Sequence, residues 1–155
     1  MMRYLKKFFF LAGLILCTAI AMPNSAQAAS TTPSVDVLRQ PATEISISLG
    51  TASNELKFVP NSLELSAFKR YKLVLTNPSS QKHYFTAKDF ADGIWTQKVE
   101  AGNVEIKGAI HELELKPGAK AEWVFVPLKS GKYALRCPIP GHTEAGMKGN
   151  IAIAA

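Results

Sequence analysis

From residue 44 onward, apolar and polar positions alternate in short runs. Ile45, Ile47 and Leu49 alternate with Glu44, Ser46 and Ser48. Leu56 and Phe58 repeat the pattern, Pro60 and Asn61 interrupt it, and Leu63 and Leu65 resume it. Residues 71–76 alternate again and stop at Asn77-Pro78-Ser79-Ser80. Further on, His111, Leu113 and Leu115 share one side while Ile110, Glu112 and Glu114 share the other. Pro117-Gly118 marks a turn, Trp123 and Phe125 alternate with Val124 and Val126, and Ser130-Gly131 marks another turn. Residues 132–137 and 148–152 complete the series. A period of two in runs of about five to eight residues, with turn residues roughly every ten, predicts an all-β sandwich or barrel. Only residues 90–104 break the pattern, and they are expected to be irregular with a short helical turn. Trp95 lies in that stretch, and its position is compatible both with covering the core and with lying near a site.

The N-terminal portion follows different rules. Arg3, Lys6 and Lys7 precede an uncharged apolar run over residues 8–22, and Ala26-Gln27-Ala28 follows. A basic start, an apolar centre and small residues at the cleavage positions predict a secretory signal peptide over residues 1–28. The run falls short of the roughly 20 residues that cross a bilayer, so no stable membrane insertion is expected after cleavage. Cys17 is an unfavourable lipidation site because bulky Leu16 precedes it. Residues 29–43, rich in Ser, Thr, Ala and Pro, read as a flexible linker. Residues 44–155 are then the folded domain, and the predicted location is the periplasm.

Composition narrows the function. With 155 residues there is room for one domain. Removing Arg3, Lys6 and Lys7 with the leader lowers the net charge from +6 to +3, and no basic run points to nucleic acid. The three histidines are His83, His111 and His142, and the two cysteines are Cys17 and Cys137. That inventory excludes a disulfide scaffold and a four-cysteine zinc module. After cleavage Cys137 is the one cysteine left, and an oxidising compartment makes a lone thiol a liability unless it is used.

Cys137, His142 and Met147 place a thiol, an imidazole and a thioether within eleven residues. Cys137 ends one expected strand, His142 sits in the loop, and Met147 starts the next. His83 follows the polar loop of residues 77–82 and supplies a second imidazole. Thiolate and thioether donors select copper over magnesium or calcium, and two histidines, a cysteine and a weak methionine are the blue-copper donor set. Zinc accepts such donors too, although its sites rarely recruit Met. His111 has no partner at metal-ligand spacing and reads as a structural residue.

These residues resemble the cupredoxins, the small type 1 blue copper proteins. The resemblance runs from about Glu44 to the C-terminus. It rests on His83 after an Asn-containing loop, Gly131-x-Tyr133 leading to Cys137, Pro140-Gly141-His142, and Gly146-Met147-x-Gly149. Four residues separate Cys137 from His142 and four separate His142 from Met147, similar to the spacing of rusticyanin and auracyanin. The resemblance implies a Greek-key β-sandwich of about eight strands. It implies one type 1 copper per chain, held by His83, Cys137 and His142 in the equatorial positions and by Met147 axially. Tyr84 stands where many members have Asn after the first histidine. Its backbone N–H is expected to donate to the Cys137 sulfur and raise the reduction potential.

The function implied is a non-enzymatic, monomeric electron carrier cycling Cu(I) and Cu(II). Its expected partners are redox proteins (a cytochrome, oxidase or reductase) docking transiently near His142, where Pro138, Ile139, Pro140 and Ala145 form an apolar rim. A copper oxidase or nitrite reductase needs a second centre, and only His111 remains to build it. A copper chaperone is the alternative reading, but Met147 is the sole methionine outside residues 1–28.

Overall fold

A computed structural model of the chain describes residues 36–155. The signal peptide expected over residues 1–28, and the linker as far as residue 35, lie outside the described residues. The rest of the linker carries one 3-10 turn, Val37–Arg39, capped by the Asp36 carboxylate, which accepts from Leu38 N–H at 3.1 Å. Among the described residues, no helix is long and apolar enough to cross a membrane.

Among the described residues, eleven strands form two sheets. The first has the order β2-β1-β4-β9-β6-β7, from β1 (Thr43–Leu49), β2 (Phe58–Val59), β4 (Tyr71–Thr76), β6 (Ile94–Ala101), β7 (Val104–Ile106) and β9 (Lys120–Pro127). The second has the order β3-β11-β10-β5-β8, from β3 (Ser62–Ser66), β5 (His83–Thr86), β8 (Glu112–Leu115), β10 (Gly131–Arg136) and β11 (Lys148–Ala154). β1 pairs with β4 and β3 with β11 in parallel, and the other pairs are antiparallel. The chain passes between the sheets repeatedly, so the sandwich closes through contacts distant in sequence.

The inward faces are those the alternation indicates. Ile47 and Leu49 of β1, Leu73 and Leu75 of β4, and Ile151 of β11 are fully buried. Phe85, Phe90, Trp123 and Phe125 fill the centre, with edge-to-face packing of Phe90 on Trp123 and on Phe125 at centroid distances of 6.0 and 5.4 Å. Such aromatic pairs add to the transfer energy of their buried area. The Trp123 indole N–H donates to Thr96 Oγ1 at 3.1 Å, so the largest core side chain leaves no polar atom unpaired.

The strand count exceeds the expected eight, and the difference lies between residues 83 and 106. The short helix is present, as α1 (Lys88–Asp92), but an eight-residue strand follows where irregular chain is expected. β6 shifts its register against β9 between Thr96 and Lys98, a bulge that breaks the period of two. β7 is exposed at all three residues, so it shows no alternation to read. Trp95 faces outward, 41% exposed, opposite Val126. His111 lies just before β8, half-buried, with Nε2 2.7 Å from the Asp92 carboxylate.

Strand direction defines two ends of the sandwich. Leu49, Thr76, Arg136 and Lys148 end or begin their strands at one of them, together with His83 and the loop of residues 137–147. Thr43, Tyr71 and Ala154 lie at the opposite end, where the described chain enters.

Candidate metal centre

β10 ends at Arg136 and β11 begins at Lys148, and the intervening residues fold back on themselves. Cys137 N–H donates to Met147 O at 3.1 Å, Met147 N–H to His142 O at 2.9 Å, and His142 N–H to Ile139 O at 3.0 Å. Thr143 Oγ1 donates to Cys137 O at 2.7 Å and cross-links the same loop. Thr143 carries no signal of this in the sequence, because its role depends on how the loop closes. These bonds hold the cysteine, histidine and methionine in one compact unit.

His83 arrives from the other direction, as the first residue of β5. The loop before it is organised by Asn77, which is buried. Asn77 Nδ2 donates to Gln81 O at 2.7 Å and to Leu115 O at 2.8 Å, and its Oδ1 accepts from Ser79 N–H at 3.0 Å and Ser79 Oγ at 2.8 Å. The sequence marks this segment as a strand end and as the Asn-containing loop before His83. Its use as an internal brace appears once Leu115 is seen beside it.

The ligating atoms of His83, Cys137 and His142 all lie within 4.8 Å of one another. Cys137 Sγ is 3.5 Å from His142 Nδ1, and the two imidazole centroids are 5.2 Å apart. His83, Cys137 and Met147 are wholly buried, while His142 retains 8% exposure. Tyr84 N–H donates to Cys137 Sγ at 3.5 Å, as anticipated. The Tyr84 side chain turns to the surface, where its hydroxyl donates to the Glu114 carboxylate and Lys82 sits 5.5 Å over its ring.

Three observations bear on whether a metal fits. Both ring nitrogens of His83 are buried with no hydrogen-bond partner. A buried polar atom left unpaired carries a desolvation cost, and a metal bond removes it at one nitrogen. Burial, then the neighbouring His142, also hold the His83 pKa below the ordinary histidine range, which keeps the ring in the neutral form that ligates metals. The donor set of two imidazoles and a thiol, with a buried thioether on the same loop, is soft enough to favour copper.

A soft-donor copper site at one end of a β-sandwich is the class of protein these observations define. The chain belongs to the plastocyanin/azurin family of copper binding proteins, whose sequence profile matches residues 45–154. Its fold is shared with auracyanin from the photosynthetic bacterium Roseiflexus castenholzii, which is 19% identical with a TM-score of 0.53 over 75% of this chain and 100% of that one. Auracyanin A, a blue copper protein from Chloroflexus aurantiacus, is 20% identical with a TM-score of 0.51 over 73% of this chain and 99% of its own. The McoA multicopper oxidase from Aquifex aeolicus is 15% identical with a TM-score of 0.57, over 75% of this chain but 30% of the oxidase. No curated protein sequence is significantly similar to the chain. The fold is thus common to a stand-alone blue copper protein and to one part of an oxidase, and copper is the metal of this family.

Proposed function

We propose that the protein is a one-electron carrier of the periplasm, with copper held by His83, Cys137, His142 and Met147. Bound copper supplies a Cu(I)/Cu(II) couple in which electrons pass without substrate turnover. The observation that carries this reading is the convergence of three buried donors of which His142 alone keeps an exposed edge. His142 brings that edge to the surface, and Ile139 and Pro140 beside it give a small apolar contact area suited to brief docking. Cys137, tied through its own N–H to Met147 and through its carbonyl to Thr143, keeps its sulfur fixed. Tyr84 N–H stabilises negative charge on that sulfur. Met147 supplies the weak fourth donor. Rigid ligands keep reorganisation small when the charge at the site changes, and that favours fast transfer over exchange of the ion.

The partners fitting this surface are redox proteins, a cytochrome, oxidase or reductase, that meet the His142 edge. An enzymatic role would need a second metal centre, and His111, the remaining histidine, is bonded to Asp92. Export rests on the N-terminal pattern of residues 1–28. Repeated reduction and reoxidation in the presence of a strong copper chelator separates carrier from chaperone. A carrier retains its copper through many cycles. Loss of copper to the chelator on the first reduction would assign the site to metal delivery instead.

A further inference from the structure

We infer that Gly50, outside the ligand set, is a positioning residue that fixes the imidazole of His83. The inference rests on the reading of His83 as a metal ligand. Gly50 directly follows β1, at φ +79°, at the end of the sandwich where His83 lies. A Cβ at this position would fall 2.8 Å from His83 Nε2, 3.1 Å from His83 Cδ2 and 3.2 Å from Ser79 Cβ. No packed carbon tolerates the first of these distances, so the bare backbone of Gly50 is the wall against which the ring rests.

The Gly50 side of this contact is not free to yield, and Ser79 beside it is held as well. Gly50 N–H donates to Lys57 O at 2.8 Å, and its carbonyl accepts from Ser48 Oγ at 2.6 Å. Ser79 is held by Asn77 Oδ1 and by its own bond to Gln81 O at 2.9 Å. The His83 ring therefore lies between a pinned turn and the His142 ring. Because Nε2 abuts Gly50, Nδ1 is the nitrogen that remains for the other donors. A side chain at residue 50 would push the imidazole off this wall and disturb its placement against Cys137 and His142.

The contact and the backbone conformation make separable demands. Gly102 also has positive φ, +58°, but a Cβ there meets nothing within 4 Å. Gly102→Ala thus imposes left-handed strain without touching the site. Three samples of the full domain are compared by Cu(II) titration and visible absorption: wild type, Gly50→Ala and Gly102→Ala. Disturbing the outer contacts that orient a ligand typically brings an about 10- to 100-fold loss of metal affinity. Gly50→Ala is expected to show that loss together with a displaced thiolate-to-copper band, whereas Gly102→Ala retains the wild-type band and affinity. Gly50→Ala with wild-type band and affinity, or the same changes in Gly102→Ala, would overturn the inference.

A second measurement needs neither a variant nor copper. In the metal-free wild type, the Gly50 Hα protons should give nuclear Overhauser contacts to the His83 ring protons. Their absence would overturn the positioning role even if Gly50→Ala failed to fold. A wild type that gives this contact but takes up no copper would sink the copper reading and leave the packing intact.

Discussion

Cys137 bears the heaviest chemical demand in the molecule, since its sulfur is the donor whose charge transfer to Cu(II) absorbs visible light. Cys137→Ser is expected to abolish the intense visible band, and a serine variant that kept it would remove Cys137 from the site. In the proposed site Met147 acts differently, as a weak donor that favours Cu(II) over Cu(I). Met147→Leu should keep the colour and raise the reduction potential, while Met147→Gln should lower it, both read by redox titration. At Tyr84, proline removes the N–H that points to Cys137 Sγ. Tyr84→Pro is expected to lower the potential, and an unchanged potential and spectrum would show that the bond does not tune the sulfur. The four donors were legible in the sequence because their chemistry belongs to the side chains and three of them share one loop. Gly50, Asn77 and Thr143 were not legible as parts of the site. Their roles come from neighbours brought in by the fold, as when Asn77 reaches Leu115 O, 38 residues away.

At the scale of elements, the loop before β5 determines whether His83 meets the other donors. Asn77 satisfies two carbonyls and organises Ser79 from a buried position. Asn77→Ala leaves buried groups unpaired and is expected to cost about 1–3 kcal/mol of stability, measured by denaturant titration of the metal-free protein. Copper affinity should fall with it, and undiminished stability would mean that the loop is braced elsewhere. On the outer face of the first sheet, β9 presents Glu122 to Lys120 at 2.7 Å and to Lys72 of β4 at 3.5 Å. The Lys120 hydrogen bond first, and then the charges of both lysines, hold the Glu122 carboxyl below its ordinary range. A lowered carboxyl pKa stabilises the fold above about pH 4.5, and that stability is lost as the pH falls through the folded value. Glu122→Gln should flatten the acid limb of the stability profile by less than about 1 kcal/mol, because the pair is partly solvated. A profile identical to wild type would show the ion pairs to be without effect. Strands were readable where one face is buried and the other is wet. β6 escaped because its bulge breaks the alternation and both its faces are partly covered, and β7 because neither face is buried.

At the largest scale, the domain of residues 36–155 divides its tasks between the two ends of the sandwich. One end gathers His83 and the loop of residues 137–147, and the other receives the chain at Thr43. Between them a core of Trp123, Phe85, Phe90 and Phe125 locks the sheets together. Phe85 sits two residues after His83 on β5, so core and metal site share a strand. Phe85→Ala should cost about 3–5 kcal/mol and loosen the site with it. Copper bound to the folded state alone adds about 4 kcal/mol when its free concentration is a thousand times Kd, so a chelator should lower the melting temperature. The all-β class was legible because regular alternation over most of the domain leaves few alternatives to a sandwich or barrel, and the choice of the sandwich came with the resemblance. Strand order was not, since pairings such as β1 with β4 and β3 with β11 depend on contacts far apart in the chain. The central claim is that His83, Cys137, His142 and Met147 form a single redox-active copper site. The most direct test is the visible absorption spectrum of the domain with one equivalent of Cu(II), recorded before and after ascorbate. The account predicts a strong blue or green band that bleaches on reduction and returns in air. A sample without that band, or one that releases its copper on reduction, would contradict it.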